Sequence, residues 1–397
     1  MGDSTNDIPM PPHLPTSAAE LAELVTIANL DRSPLIVAGN STKLDWGGIV
    51  SGGKSLVSTQ KLDRLIAHAV GDLTITVEAG MKFAKLQEIL ATAGQFLPLD
   101  PAYPDRATIG GIIATADTGS LRHRYGGVRD LLLGITFVRA DGKIAKAGGR
   151  VVKNVAGYDM MKLFTGSYGT LGILTAVTLR VYPVSTTEGT VILTGAVDRL
   201  ANVAKILLAS TLTPIAADVV STAFSQHLKI SNTPSLVVKF ATIPESIAQQ
   251  SAQLLEIAKG LGLKGGTWQG AQAAQLWSSI QTGIWGDRPI GCKLGVRLTA
   301  AVATIDLLDR LTDNTAKGVI HLNSGIGAIA ISDSHHIIAP FRSHCESAGG
   351  FLSVLQAPVE VKQQLDVWGY RGNAVPLMRQ IKQQFDPFDM LNPGRCF

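Results

Sequence analysis

The chain has 397 residues, 46% of them hydrophobic and only 17% charged, with a net charge of +4 at neutral pH. That length suggests two domains, or one large domain with an insertion, and a charged fraction below the usual ~25% excludes a disordered chain. No basic run is long enough to track a phosphate backbone and no apolar run reaches the ~18 residues of a membrane span, so a dedicated nucleic-acid binder and a helical membrane protein are excluded too.

Residues 1–16 carry no apolar core behind Met1-Gly2-Asp3 and read as a disordered tail without a secretory signal. Thr16-Ser17 then precedes AAELAELVTIANL, whose apolar residues recur at helical spacing behind cap residues, which predicts a helix over 18–30. PLIVA at 34–38 is a short buried strand running into the turn Ala38-Gly39-Asn40-Ser41-Thr42. A strand is expected over 71–80, a helix over 82–94 closed by a glycine, a hairpin over 131–147 turned at Asp141-Gly142, and a β-branched strand over 171–184. This is an α+β pattern without the strict alternation of a doubly wound parallel sheet.

From Ser185 the texture changes. Strands at 190–196, 235–241, 293–299 and 318–323, with helices near 197–209 and 246–259, predict an antiparallel sheet with helices on one face, in a second domain spanning 186–345. The segment 346–397 carries a helix over 376–385 and ends in FDPFDMLNPGRCF, rich in turn residues, which reads as a docked terminus. The chain as a whole reads as soluble and cytosolic.

Several motifs suggest chemistry. Gly48 to Ser55 fits the spacing of a phosphate-binding P-loop, yet polar residues precede it and β-prone ones follow, where a P-loop needs a strand before and a helix after. Lys54 is therefore expected to be an ordinary solvated residue, and a P-loop nucleotidase is the remote alternative. Gly325 to Ala330 has the GxGxxA spacing of a dinucleotide fingerprint but reads as a sheet turn. His335, His336, His344 and Cys345 match no familiar metal spacing, and the group is expected to be surface histidines. Cys292, Cys345 and Cys396 are too scattered for a four-thiolate cluster, and no metal site is assigned. The most informative stretch is Leu99 to Gly127, where Gly110, Gly111 and Gly119 stand among Ala, Ser and Thr. Such a backbone is bare enough for a large ligand to lie against, with N–H groups free to bind oxygen.

TIGGIIATADTG, RYGGVRDLLLGITFVRADGKI, KNVAGYDMMKLFTGSYGTLGILTAVTLRVYP and the terminal NPGR together resemble the FAD-linked oxidases that share the p-cresol methylhydroxylase and vanillyl-alcohol oxidase fold. KNVAGYD, GSYGTLG, the VWG of Val367 to Gly369 and NPGR are most similar to the E subunits of bacterial-type glycolate oxidases. The resemblance implies a two-part FAD-binding domain, residues 17–185 with a returning 346–397 segment, and an inserted antiparallel α+β cap. It implies the pyrophosphate on Gly39, Asn40, Ser41 and Thr42, and the ribityl and ring region along Pro101, Thr108, Ile109, Gly110 and Gly111, continued by Ala114 and Gly119. Gly172 and Ile173 would meet the flavin or adenine end, and Asn392 would reach the ring.

Asn40, Ser41 and Arg124-Tyr125-Gly126 stand where covalent relatives carry His or Cys, so the FAD is expected to be non-covalent. The implied chemistry is oxidation of glycolate or another 2-hydroxy acid, with a larger flavoprotein subunit and an iron–sulfur subunit as partners, at the inner face of the membrane through those partners. A self-sufficient oxidoreductase on another hydroxy acid or alcohol is the alternative. No catalytic residue is assigned: His321-Leu322-Asn323-Ser324-Gly325 keeps one His of the larger subunit's H-x-G-D-G-N-x-H and lacks its acid and second His. Arg122, Arg124, Lys153 and His321 are candidate contacts that read equally well as salt-bridging or strand-surface residues.

Overall fold

Helix Ala18–Leu30 forms where the spacing predicts it. Ser17 is extended and its hydroxyl accepts the Glu20 N–H at 3.1 Å, satisfying a donor that the first turn would otherwise orphan. The computed structural model describes residues 12–52, 55–149, 158–286, 289–332, 335–370 and 372–396. Leu21, Val25 and Ala28 of this helix pack on β1 (Leu35–Ala38) and β2 (Ser55–Ser58), which pair in parallel.

β3 (Leu65–Ala69), β4 (Thr74–Glu78), β5 (Gln95–Phe96), β6 (Leu132–Val138), β7 (Ile144–Gly148), β8 (Ile173–Arg180) and β9 (Tyr182–Pro183) complete the first domain. They form an antiparallel sheet in the order β3-β4-β8-β6-β7 and a separate β5-β9 pair. Ile75, Val77, Ile135, Phe137, Val177 and Leu179 share a core with helices Phe83–Ala91 and Ile109–Ala114.

The second sheet has eight strands: β10 (Thr187–Thr194), β11 (Ala216–Val220), β12 (Ser235–Thr242), β13 (Lys264–Trp268), β14 (Ile290–Gly295), β15 (Lys317–His321), β16 (Ile326–Ile331) and β17 (Phe351–Gln356). They run antiparallel in the order β13-β10-β12-β11-β15-β16-β14-β17.

Three expectations need correction here. Helices cover both faces of this sheet, not one: Leu200, Ile247, Leu254, Ile305 and Phe341 pack on one side, and Phe224, Leu276 and Ile280 on the other. The reason is that the strands are apolar on alternate residues of both phases, so each face must be kept from water. The strand expected over 293–299 runs from Ile290 to Gly295, because Val296 and Arg297 turn their N–H groups to Gly325 and Ala348 instead of a ladder partner. β17 lies beyond the expected boundary at 345, so the sheet takes in part of the segment read as the returning terminus.

The remainder of that segment does return. After helix Ala374–Phe385, Leu35 donates its N–H to Met390 O at 2.7 Å, Asn392 to Leu35 O at 3.0 Å and Ser51 to Pro393 O at 3.0 Å. Gly48 lies against this strap, its N–H 2.9 Å from Arg395 O, and a Cβ there would sit 2.4 Å from Gly394 O. The P-loop spacing at 48–55 thus leads into β2, a strand, and its Lys54 is outside the described residues. The GxGxxA at 325–330 is likewise the turn into β16. Among the described residues no helix is long and apolar enough to cross a membrane.

Candidate functional site

β1 ends at Ala38, and the chain bends sharply through Gly39, Asn40 and Ser41, with Ser41 at φ +57°. The bend is possible because Gly39 lacks a side chain: a Cβ would lie 2.0 Å from Thr108 Oγ1. Asn40 Nδ2 donates to Arg106 O at 3.0 Å, and Ser58 Oγ donates to Gly39 O, which fixes the turn from both sides. Among the described residues the N–H groups of Asn40, Ser41, Thr42 and Lys43 donate to no protein acceptor. Successive unpaired N–H groups around an αL residue form an anion nest.

That nest is one wall of a long cleft. The others are Thr108, Gly110, Gly111, Ala114 and Thr115, the Ser167-Tyr168-Gly169 turn with Gly172 and Ile173, and Arg395 from the strap. The bare turn and small residues therefore leave room for an extended, phosphorylated ligand, with Arg395 supplying positive charge. Arg395 is itself buried and held, its Nη1 donating to Trp46 O at 2.8 Å.

A second cavity, about 40 Å³, opens between the loop at 117–121 and the strands β14, β15 and β16. Asp100 is half-buried there, its two oxygens accepting the N–H groups of Gly119 (2.8 Å) and Leu121 (2.9 Å), and loss of water pushes its carboxyl above the usual range. Asp218, fully buried in β11, accepts from the Ser120 hydroxyl through one oxygen and meets His321 Nδ1 at 2.7 Å through the other. Burial lowers the His321 pKa, but the charge and hydrogen bond of Asp218, with Asp100 beyond, more than offset it, and the net shift is upward. Lys293 donates to Ala116 O at 3.0 Å, with its pKa lowered by burial, and Lys43 meets Asp117 at 2.6 Å in a buried pair.

Comparison with known proteins follows this division. Residues 13–148 match the family model described as "FAD binding domain". The first domain binds FAD. The chain is 37% identical to glycolate oxidase subunit GlcE of Escherichia coli (strain K12) over 164 residues, which cover 41% of this chain and 46% of that protein. It is 35% identical to the mitochondrial D-lactate dehydrogenase [cytochrome] of Arabidopsis thaliana over 166 residues, 42% of this chain and 29% of the other. The matches thus span less than half the length of these curated relatives. A solved 4-ethylphenol oxidase from Gulosibacter chungangensis superposes with a TM-score of 0.75 over 96% of this chain and 88% of its own, at 16% identity, which shows a shared fold.

The cleft brings together Gly39, Asn40, Ser41, Thr42, Thr108, Gly110, Gly111, Ala114, Gly172 and Ile173. The other four residues expected at the flavin fall outside the lining of this cleft. Ile109 is buried in the core of the first sheet, and Pro101 is buried with its carbonyl accepting from Gln281 Nε2 at 2.9 Å. Gly119 lines the second cavity instead of the cleft. Asn392 turns its amide to the protein: Oδ1 accepts the Val37 N–H and Nδ2 donates to Tyr168 O, both at 2.8 Å, which pins the strap to β1 and to the cleft wall.

Of the candidate contacts, His321 lines the second cavity, Arg122 is half-buried near Lys293, Arg124 is exposed and Lys153 lies outside the described residues. His335 and His336 are exposed as expected, but His344 is half-buried, its Nε2 3.0 Å from Thr304 Oγ1, and Cys345 is buried. Asp218 was the legible signal missed in the sequence. It is a lone acid inside the apolar run AADVV, a position that folding tolerates only with a partner.

Proposed function

We propose that this chain is the FAD-binding subunit of an assembly that oxidises glycolate or D-lactate, and that electrons pass from the 2-hydroxy acid by way of the flavin to an iron–sulfur partner alongside a larger flavoprotein subunit. The observation that carries the reading is the pairing of an FAD cleft with a buried polar cavity beneath the cap sheet, in a chain whose relatives are named for glycolate and D-lactate. The nest at Gly39 to Thr42 holds the pyrophosphate, Gly110 and Gly111 leave room for the ring system, and the flavin is non-covalent. FAD, when bound, accepts the two electrons of a hydride. The chain's own residues orient the acid, exclude water and take up its hydroxyl proton. No four-cysteine cluster can be drawn from Cys292, Cys345 and Cys396, which supports onward transfer through a partner at the inner face of the membrane.

A second reading, a self-sufficient oxidoreductase, is favoured by one specific observation: the Asp218–His321 pair gives this cap a proton acceptor of its own. The purified chain should be yellow and release FAD on acid precipitation. Dye reduction with glycolate and D-lactate is then measured for the chain alone and with its partner subunits. Turnover only in the assembly supports the first reading, rapid turnover alone the second, and a colourless chain that takes up no FAD would sink both.

A further inference from the structure

Ser120, Asp218 and His321 come from three separate segments, a loop of the FAD-binding domain and two strands of the cap, and meet in one hydrogen-bonded row. Asp218 is fully buried and His321 is 6% exposed, so neither is a solvated surface pair. Asp218 grips Nδ1 of a ring that lines the cavity, and among the described residues Nε2 has no hydrogen-bond partner. A buried imidazole with one nitrogen anchored on a carboxylate and the other open to a small polar cavity is the arrangement of a proton acceptor.

We propose that His321 is the general base of this chain's own substrate site, and that Asp218 and Ser120 are the positioning residues that fix its tautomer and direction. This deepens the functional reading above and rests on it. A 2-hydroxy acid seated in the cavity gives its hydroxyl proton to Nε2, the O–H electrons remain on oxygen to form the carbonyl, and the C2 hydrogen leaves as hydride by the FAD chemistry already stated. The imidazolium so formed is stabilised by Asp218.

The titratable groups that face His321 are Asp218 from β11, Asp100 before the small-residue stretch, His123 from the helix Arg122–Tyr125 and Lys293 from β14. The acids raise its affinity for a proton and Lys293 lowers it. The expected base therefore works on the alkaline side of the usual imidazole range, and loss of the Asp218 charge moves it to lower pH.

The test uses the full chain loaded with FAD and labelled at histidine Cε1, with His321→Gln assigning the signal. With the flavin pre-reduced by dithionite, so that no turnover occurs, the His321 signal should titrate above about 6.5, shift on adding glycolate, and move to lower pH in Asp218→Asn. A signal indifferent to glycolate, or to Asp218→Asn in a variant that keeps its flavin spectrum, overturns the proposal. In stopped-flow reduction by glycolate or D-lactate, His321→Gln should keep FAD and slow on the order of 10²- to 10⁴-fold. Reduction of that variant at the wild-type rate overturns the base alone. A wild type that no 2-hydroxy acid reduces, alone or with its partner subunits, overturns the functional reading and this proposal with it.

Discussion

Gly110 and Gly111 are neighbours with different reasons to be glycine. A Cβ on Gly110 would lie 3.0 Å from both the Cβ and the carbonyl oxygen of Ala79, so that position serves the protein's own packing. A Cβ on Gly111 would meet only Thr108 Oγ1, at 3.1 Å, and otherwise opens on the cleft. Gly111→Val should therefore lose FAD on desalting, read as absorbance near 450 nm, at a cost to the fold of no more than ~1–3 kcal/mol. Gly110→Val should lower the melting temperature and the flavin content together. Asn392 bonds the protein's own backbone from the returning strap. Asn392→Ala leaves the Val37 N–H and the Tyr168 carbonyl without partners, and chemical denaturation should report a loss of about 1–3 kcal/mol.

At the scale of elements, the short helix Val359–Gln363 is tied down through Lys362. Lys362 Nζ donates to the carbonyls of Asp45, Gly47 (2.9 Å) and Leu355 (3.1 Å), tying the helix to the first domain and to the end of β17. Burial pushes its pKa down to about 8, while the three acceptors favour the charged form. Lys362→Met keeps the apolar stem and leaves those carbonyls unpaired, so urea unfolding should show a loss on the order of 1–3 kcal/mol. The helices at 18–30 and 197–209 and the hairpin at 132–148 are legible from the residues, because a 3.6-residue period, a two-residue period and a turn pair such as Asp141-Gly142 act locally. β11 and β13 are not legible in the same way. KGGTW has little apolar content, and AADVV is too short to distinguish from a buried helical turn until β12 and β15 flank it.

For the whole molecule, pH reports on the contact between the two domains. The raised His321 pKa means that the folded state holds the proton more tightly than the unfolded chain. Its contribution to stability is complete below about 6.5 and is lost as pH rises through the higher folded value. Asp100, also raised, acts with the same sign from the carboxylate range upward. The stability that the FAD-loaded chain has over its His321→Gln variant should therefore shrink between pH 6 and pH 8, as calorimetry of both at several pH values can check.

The sequence by itself determined the bare turn at Gly39 to Thr42, the small-residue stretch at Thr108 to Gly119 and the docked NPGR terminus, because each is a local demand for glycine, a cap or a turn. It also carried the FAD-binding likeness. Only the tertiary structure decided that Ser120, Asp218 and His321 meet, since they are 98 and 103 residues apart along the pairs that join them. It likewise decided that Asn392 clamps backbone and that the cap sheet is covered on both faces. Contacts of that range depend on how two sheets and a returning strap close on one another, and no periodicity within a segment encodes the side chain that will arrive from elsewhere.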